Sequence, residues 1–149
     1  MNWVIKSFDA LTPLELYRIL KVRIDVFMLE QNCLYPECDN KDLKSEHLFL
    51  LNEAECLAYA RLLPPNLSYP NCSSIGRVVV HPKHRSHAYG KELMQRAIEA
   101  QCAAFPNTVI RISAQLYLKR FYENLGFKQE SESYLEDDIP HIEMAYYPG

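Results

Sequence analysis

The apolar positions of the chain repeat with two periods, and the switches between them outline the elements. Residues 3–8 read as a strand, with Trp3 and Ile5 on one side and Val4 on the other. After Thr12, the positions Leu16, Ile19, Leu20, Arg23 and Phe27 keep helical spacing, which predicts a helix to about Gln31. Thr12-Pro13-Leu14-Glu15 is its start signal: the hydroxyl can cap, Pro13 suits the first turn, and Glu15 can close a capping box. Residues 47–51 and 56–63 are apolar runs that predict strands, the second stopped by Pro64-Pro65. Residues 65–74 read as a loop. Residues 75–80 hold the β-branched run Val78-Val79-Val80 and predict a strand that ends at His81-Pro82.

Residues 85–89 read as a turn. From Gly90 a helix places Leu93, Met94, Ala97, Ile98 and Cys102 on one face, with Pro106 just beyond its end. A strand over 108–113, a short helix over 116–125 closed by Gly126, and strands over 127–131 and 141–147 complete the pattern. The acidic turn Glu136-Asp137-Asp138 lies between the last two. This order predicts an α/β (α+β) fold in one domain spanning 1–149, with a mixed, mostly antiparallel sheet and at least one βαβ crossover.

Composition adds exclusions. With 149 residues, 48% hydrophobic and 23% charged, the chain has the make-up of a globular domain. A net charge of -3 gives no reason to expect nucleic acid or an anionic membrane as partner. No apolar run reaches the roughly 20 residues that span a bilayer, and the segment from Met1 to Lys6 lacks the pattern of a secretory leader. The five cysteines are odd in number and include no C-x-x-C pair, so neither a disulfide framework nor a metal site is expected. Reduced thiols fit a cytoplasmic protein.

The densest chemistry lies between Arg77 and Lys91, where a buried strand meets a basic turn and a helix start. A helix N-terminus leaves about four N–H groups unpaired and carries partial positive charge. Small Ala88 and Gly90 let an anion approach those groups, and Arg85 and Lys91 add charge. A solvated basic turn would read the same way.

This stretch resembles motif A of the GNAT superfamily of N-acetyltransferases, whose loop pattern is Q/R-x-x-G-x-G/A. Arg85, Ala88 and Gly90 stand at its first, fourth and sixth positions, with Ala88 the departure. Ser113 to Phe127 resembles the family's N-x-x-A-x-x-x-Y-x-x-x-G-F ending. Tyr122, Gly126 and Phe127 match, and Gln115 and Leu118 depart. A tighter resemblance, to the ElaA-like branch, rests on Arg23 to Pro36, Ala58-Tyr59-Ala60-Arg61-Leu62, Ile75 to Val80 and Ile139-Pro140-His141-Ile142.

The resemblance implies a GNAT fold with about 6–7 strands and about four helices, binding acetyl-CoA without a metal. It implies that main-chain groups of Arg85, Ser86, His87, Ala88, Tyr89, Gly90 and Lys91 hold the diphosphate. Val78, Val79 and Val80 would run beside the pantetheine arm, with Gln115 as a further contact. It makes Tyr122 the general acid for the leaving thiolate, a role that packing of one aromatic among many would mimic. A homodimer is compatible with the superfamily.

The base is unassigned, because the strand before the loop has no carboxylate; His47, His141 and Glu30 are the candidates. Arg23, Arg77, Glu136, Asp138 and His141 are candidate acceptor contacts. Arg23, Glu30 and Arg77 fit a structural ion network equally well, since buried charges must be paired. Positioning of two bound reactants makes an acyl-Cys33 route unnecessary. The expected activity is transfer of an acetyl group to an amine of a small molecule or protein. A non-catalytic acyl-CoA-binding module and an acyl-homoserine-lactone-synthase-like enzyme are the alternatives.

Overall fold

The computed structural model describes residues 2–149, so Met1, the first residue of the segment read as lacking a leader, lies outside it. The strands are β1 (Trp3–Ser7), β2 (Glu46–Leu51), β3 (Cys56–Leu63), β4 (Ser74–Val80), β5 (Ile110–Gln115), β6 (Lys128–Gln129), β7 (Tyr134–Glu136) and β8 (Ile139–Tyr146). The helices are α1 (Pro13–Arg23), α2 (Tyr89–Ala104) and α3 (Lys119–Glu123). Strands β1 to β4 form one antiparallel sheet in chain order. β5, β8 and β6 form a second, with β7 also paired to β8.

The two sheets touch through a short parallel bridge between Ser73 and Ile110. There the Ser73 N–H donates to the Val109 carbonyl at 3.0 Å, and the Arg111 N–H donates to the Ser73 carbonyl at 2.9 Å. Among the described residues no ladder pairs β4 with β5 beyond that point. The two strands leave the bridge in the same direction, connected through α2, and part. Their facing edges keep unpaired N–H and C=O groups, which water or a ligand must satisfy.

Helices cover both faces of the first sheet. Leu93, Met94, Ala97 and Ile98 of α2 share a core with Leu48, Ala58, Ala60, Ile112 and Met144. Ile19 and Val22 of α1, with Val26, pack on Phe49, Tyr59 and Val79 from the other side. The period of two along β2 sends Leu48 and Leu50 into one core and Phe49 into the other.

The start of α1 follows its sequence signal. The Glu15 N–H donates to Thr12 Oγ1 at 3.1 Å and the Thr12 N–H donates to Glu15 Oε1 at 2.8 Å. Such a cap is worth about 1 kcal/mol. Gly126 closes the α3 turn at φ 104, where a Cβ would lie 3.0 Å from the Tyr146 ring; only glycine fits both conditions.

Four details differ from the sequence reading. α1 ends at Arg23, and the chain continues to Glu30 as a π-helix, in which the Gln31 N–H reaches the Val26 carbonyl at 3.0 Å. Residues 82–87 form a 3₁₀ helix rather than an open turn. β5 begins at Ile110, because Asn107 takes φ 56 and the Thr108 hydroxyl donates back to the Pro106 carbonyl. β7 was not expected: Tyr134, Leu135 and Glu136 are all exposed, so no apolar alternation marks it.

Candidate active site

The parting of β4 and β5 opens a cleft of about 820 Å³, lined by residues 74–80 on one side and by Ile112, Ser113 and Gln115 on the other. A β-bulge shapes the β4 wall. Tyr59 pairs with Val79 and Arg61 with Gly76, so Arg77 and Val78 stand opposite Ala60 alone. Arg77 takes φ 50 at this point. A left-handed non-glycine residue costs about 1–2 kcal/mol, and its side chain is tied down in compensation. Arg77 Nε donates to Glu37 Oε2 at 2.8 Å, and its guanidinium lies 5.6 Å from the Tyr35 ring centroid. The bulge bends β4 away from β5 and aims Arg77 into the cleft.

At one end of the cleft lies the loop singled out in the sequence. His81 caps the 3₁₀ turn, its Nδ1 accepting from the Lys83 N–H at 3.2 Å. Ala88 then takes φ 57, ψ 21 and α2 begins without a side-chain cap. The N–H groups that open α2 therefore remain donors in search of an acceptor. A Cβ on Gly90 would meet Val80 Cγ2 at 3.7 Å and Phe121 Cζ at 3.9 Å, ordinary contact distances. The protein's own packing does not demand this glycine; it keeps the ground above the helix start bare.

Val78, Val79, Val80, Arg85 and Gly90 line the cleft. Ser86, His87, Ala88 and Tyr89 do not, and Lys91 lines a separate shallow depression on the α2 flank. Val79 also buries its side chain in the α1 core, so its strand edge, not its side chain, is offered to a ligand.

Arg85 is not free. Its Nη1 and Nη2 donate to Glu30 Oε2 and Oε1 at 3.1 and 2.6 Å, and its Nε donates to the Val80 carbonyl at 3.3 Å. Both oxygens of Glu30, which also lines the cleft, are thereby engaged with the loop.

Tyr122 reaches the cleft from α3. Its ring packs edge-on against Phe121 and Phe127, with centroids 5.1 and 5.8 Å away. Burial pushes its phenol pKa up, so it stays protonated across the neutral range. Gln115 lines the same wall, and its Nε2 donates to Gln31 Oε1 at 3.3 Å.

His141, on β8, is the strand partner of Gln115 and lines the cleft on the β5 side. Its Nδ1 lies 2.7 Å from the Ile139 carbonyl, which can only accept, so that nitrogen carries the proton. Nε2 is left with a lone pair in the neutral ring, 3.4 Å from Glu136 Oε2. Ser113 Oγ donates to Glu136 Oε1 at 3.0 Å and fixes the carboxylate. Asp137 lines the cleft and Asp138 does not; both take positive φ, 51 and 63, as the two-residue turn between β7 and β8.

Two of the expected site residues do not line this cleft. His47 is buried in β2, its Nδ1 2.7 Å from the Tyr59 hydroxyl and its Nε2 3.0 Å from the Asp42 carbonyl. Burial holds its pKa below the ordinary histidine range, and it does not line the cleft. Arg23 is 0% exposed and belongs to a buried ion network. Its Nε donates to Glu37 at 2.6 Å and its Nη1 to Asp42 at 2.9 Å. Arg61 joins through Asp39 at 2.8 Å and Asp42 at 3.1 Å. Three guanidiniums, of Arg23, Arg61 and Arg77, are thus matched by three carboxylates.

Sequence reading missed Glu37, Asp39 and Asp42, as well as the cleft residues Tyr35, Ser113 and Tyr69. A signal existed for the carboxylates: arginines inside apolar runs require acidic partners, and residues 37–42 are an acidic loop between α1 and β2. No helix of the described residues is long and apolar enough to cross a membrane.

The family model that describes an acetyltransferase (GNAT) domain matches residues 24–148. A UPF0039 protein of Schizosaccharomyces pombe is 43% identical over 146 residues, covering 97% of this chain and 95% of that protein. The crystal structure of an acyl-CoA N-acyltransferase from Pseudomonas aeruginosa superposes with a TM-score of 0.92 at 40% identity, over 97% of this chain and 98% of that one. Escherichia coli ElaA superposes with a TM-score of 0.91 at 34% identity, over 98% and 99% of the two chains. The chain therefore belongs to the GNAT acetyltransferase family, in its ElaA-like branch, and its chemistry is acyl transfer.

Proposed function

We propose that this acyltransferase moves the acetyl group of acetyl-CoA to a primary amine by direct attack on the thioester. One observation carries the reading: α2 opens uncapped, behind left-handed Ala88, at the mouth of a cleft whose far wall holds a buried phenol. Acetyl-CoA is a substrate here, and the residues present fit it. The bare helix start suits a diphosphate, the unpaired edge of Val78 and Val80 suits the amides of a pantetheine arm, and Gln115 can donate and accept. Residues 85–91 hold the phosphates through their main chain.

The amine nitrogen attacks the thioester carbonyl carbon, the C–S bond breaks, and the leaving thiolate takes the Tyr122 proton. His141 Nε2 accepts the proton that the amine gives up. Proton donation of this kind is worth roughly 10²–10⁴-fold, and holding both reactants in one cleft supplies much of the remainder. Arg77, Glu136 and Asp138 are left as acceptor contacts, of which Arg77 and Glu136 line the cleft. The protein acts in the cytoplasm in this reading.

The test is release of free CoA thiol from acetyl-CoA over an amine panel, with wild type and Tyr122→Phe. The variant should lower kcat at least a hundredfold and leave acetyl-CoA affinity within about threefold. Equal loss of both, or no change in either, would remove Tyr122 from the acid role.

A further inference from the structure

Packing in the core does not explain strand β7. Tyr134, Leu135 and Glu136 are all exposed, and neither buried cluster includes one of them. The turn that joins β7 to β8 holds Asp137 at φ 51 and Asp138 at φ 63, a region that non-glycine residues enter at a cost. What this hairpin carries is a row of polar groups beside His141. Tyr134 stands directly opposite His141 in the β7–β8 register, and Gln115 of β5 stands on the other side of it. Glu136 is two residues on from Tyr134 and shares its face. The Tyr134 ring lies alongside the imidazole, with centroids 6.3 Å apart and planes 23° from parallel.

The hydrogen bonds of this group run one way. Ser113 Oγ has a single hydrogen and gives it to Glu136 Oε1 at 3.0 Å. In the 2.5 Å contact between Tyr134 and Ser113 the phenol is therefore the donor. Burial, helped by the carboxylates of Glu136 and Glu143, holds that phenol above its ordinary pKa, so its hydrogen stays in place. The other Glu136 oxygen, Oε2, lies 3.4 Å from His141 Nε2. This exceeds the about 2.7–2.9 Å of a charge-assisted hydrogen bond, and in the neutral ring Nε2 has no hydrogen to offer. Once the ring takes a second proton, the same gap separates opposite charges. Glu143, next along the same face of β8, is held by Arg111 at 3.1 Å. Among the described residues, His141 is the only basic side chain within ion-pair distance of Glu136.

We infer that the β7–β8 hairpin is a positioning arm for the base: Tyr134 and Ser113 hold Glu136 beside His141, and Glu136 stabilises the charge that the ring gains from the attacking amine. The inference rests on the acetyl-transfer reading above and adds to it residues that act through His141. The amine nitrogen bonds to the acetyl carbon, the C–S bond breaks, and the proton lost by that nitrogen moves to Nε2. The imidazolium then lies between the Ile139 carbonyl at Nδ1 and Glu136 at Nε2. The proton passes to water after the amide leaves. Tyr134 and Ser113 need not touch the acceptor.

The experiment measures thiol release from acetyl-CoA with n-butylamine as the acceptor. Wild type is compared with His141→Gln, Glu136→Gln, Tyr134→Phe and the Glu136→Gln/Tyr134→Phe double variant. Tyr134→Phe removes one hydroxyl from an exposed residue and keeps its ring, so the hairpin should stay folded. His141→Gln should lose at least about a hundredfold in kcat. Glu136→Gln should lose about tenfold and Tyr134→Phe about three- to fivefold, with both KM values within about twofold of wild type. In the Glu136→Gln background, Tyr134→Phe should cost nothing more, because the hydroxyl then acts on no charge. Losses that simply multiply would give Tyr134 a role apart from Glu136 and overturn the arm. A higher amine KM at unchanged kcat in Glu136→Gln would do the same, leaving that carboxylate a binding contact only. Full activity in both arm variants beside an impaired His141→Gln would reject the arm and keep the base. Full activity in His141→Gln, or bound acetyl-CoA with no thiol release from any amine, would strike the reading on which the arm depends.

Discussion

Replacing Arg23 by Met removes the most enclosed guanidinium while keeping an apolar stem of similar length. Arg23 is 0% exposed, and it donates to Glu37 at 2.6 Å and to Asp42 at 2.9 Å. Removing one partner of a buried ion pair costs about 3–5 kcal/mol, because the other charge is left desolvated. Here each abandoned carboxylate keeps a second guanidinium, Arg77 on Glu37 at 2.8 Å and Arg61 on Asp42 at 3.1 Å. That places the loss at the lower end, about 3 kcal/mol. For a domain of this size 1 kcal/mol moves Tm by about 2–4 °C, so the midpoint should fall by about 6–12 °C. Calorimetry and urea unfolding give the number. Steady-state kinetics below the transition should show an unchanged amine KM, because Arg23 does not line the cleft. A loss under about 1 kcal/mol, together with a tenfold higher amine KM, would refute the structural role and restore Arg23 to the substrate site.

Stability should fall in two stages as the solution is acidified, the first between pH 7 and pH 5 and the second below about pH 4. Burial keeps the His47 pKa below its ordinary value, so near and below pH 6.5 the unfolded chain binds a proton that the fold refuses, and the urea midpoint drops. Burial alone would raise Asp42, but the Arg23 and Arg61 guanidiniums outweigh it; the stability this supplies is present above the ordinary carboxylate pKa and is lost as pH falls through the lowered one. A flat midpoint between pH 7 and 5 would contradict the His47 assignment. Glu30→Gln should free Arg85 for the diphosphate and tighten CoA binding about two- to fivefold at low salt, the scale of an exposed ion pair, as read by calorimetric titration. Weaker binding, or a collapse of kcat at unchanged affinity, would return Glu30 to the list of bases.

Local signals in the chain carried far. Thr12 and Glu15 specify the start of α1 because a capping box closes within four residues. Cys56 to Leu63 is legible as a strand because the prolines at 64 and 65 end it, and Gly126 because its φ forbids other residues. The helix start around Ala88 and Gly90 was also readable, since the apolar positions of α2 keep helical spacing from there. What stayed hidden depends on partners far apart in sequence. His47 is settled by Tyr59 and Asp42, Arg85 by Glu30 55 residues away, and Arg77 by a bulge that only the β3–β4 register reveals. His141 resembled His47 as an isolated ring until the Ile139 carbonyl fixed its tautomer and its place in the cleft lining set it apart.

The central claim is that the main-chain amides opening α2 bind the diphosphate of the coenzyme. A titration of ¹⁵N-labelled protein with CoA, followed amide by amide, tests it most directly. The amides of Tyr89, Gly90 and Lys91 should shift more than any others and saturate together, with those of Val78 and Val80 following. Saturable shifts confined to another surface, with these amides unmoved, would contradict the account.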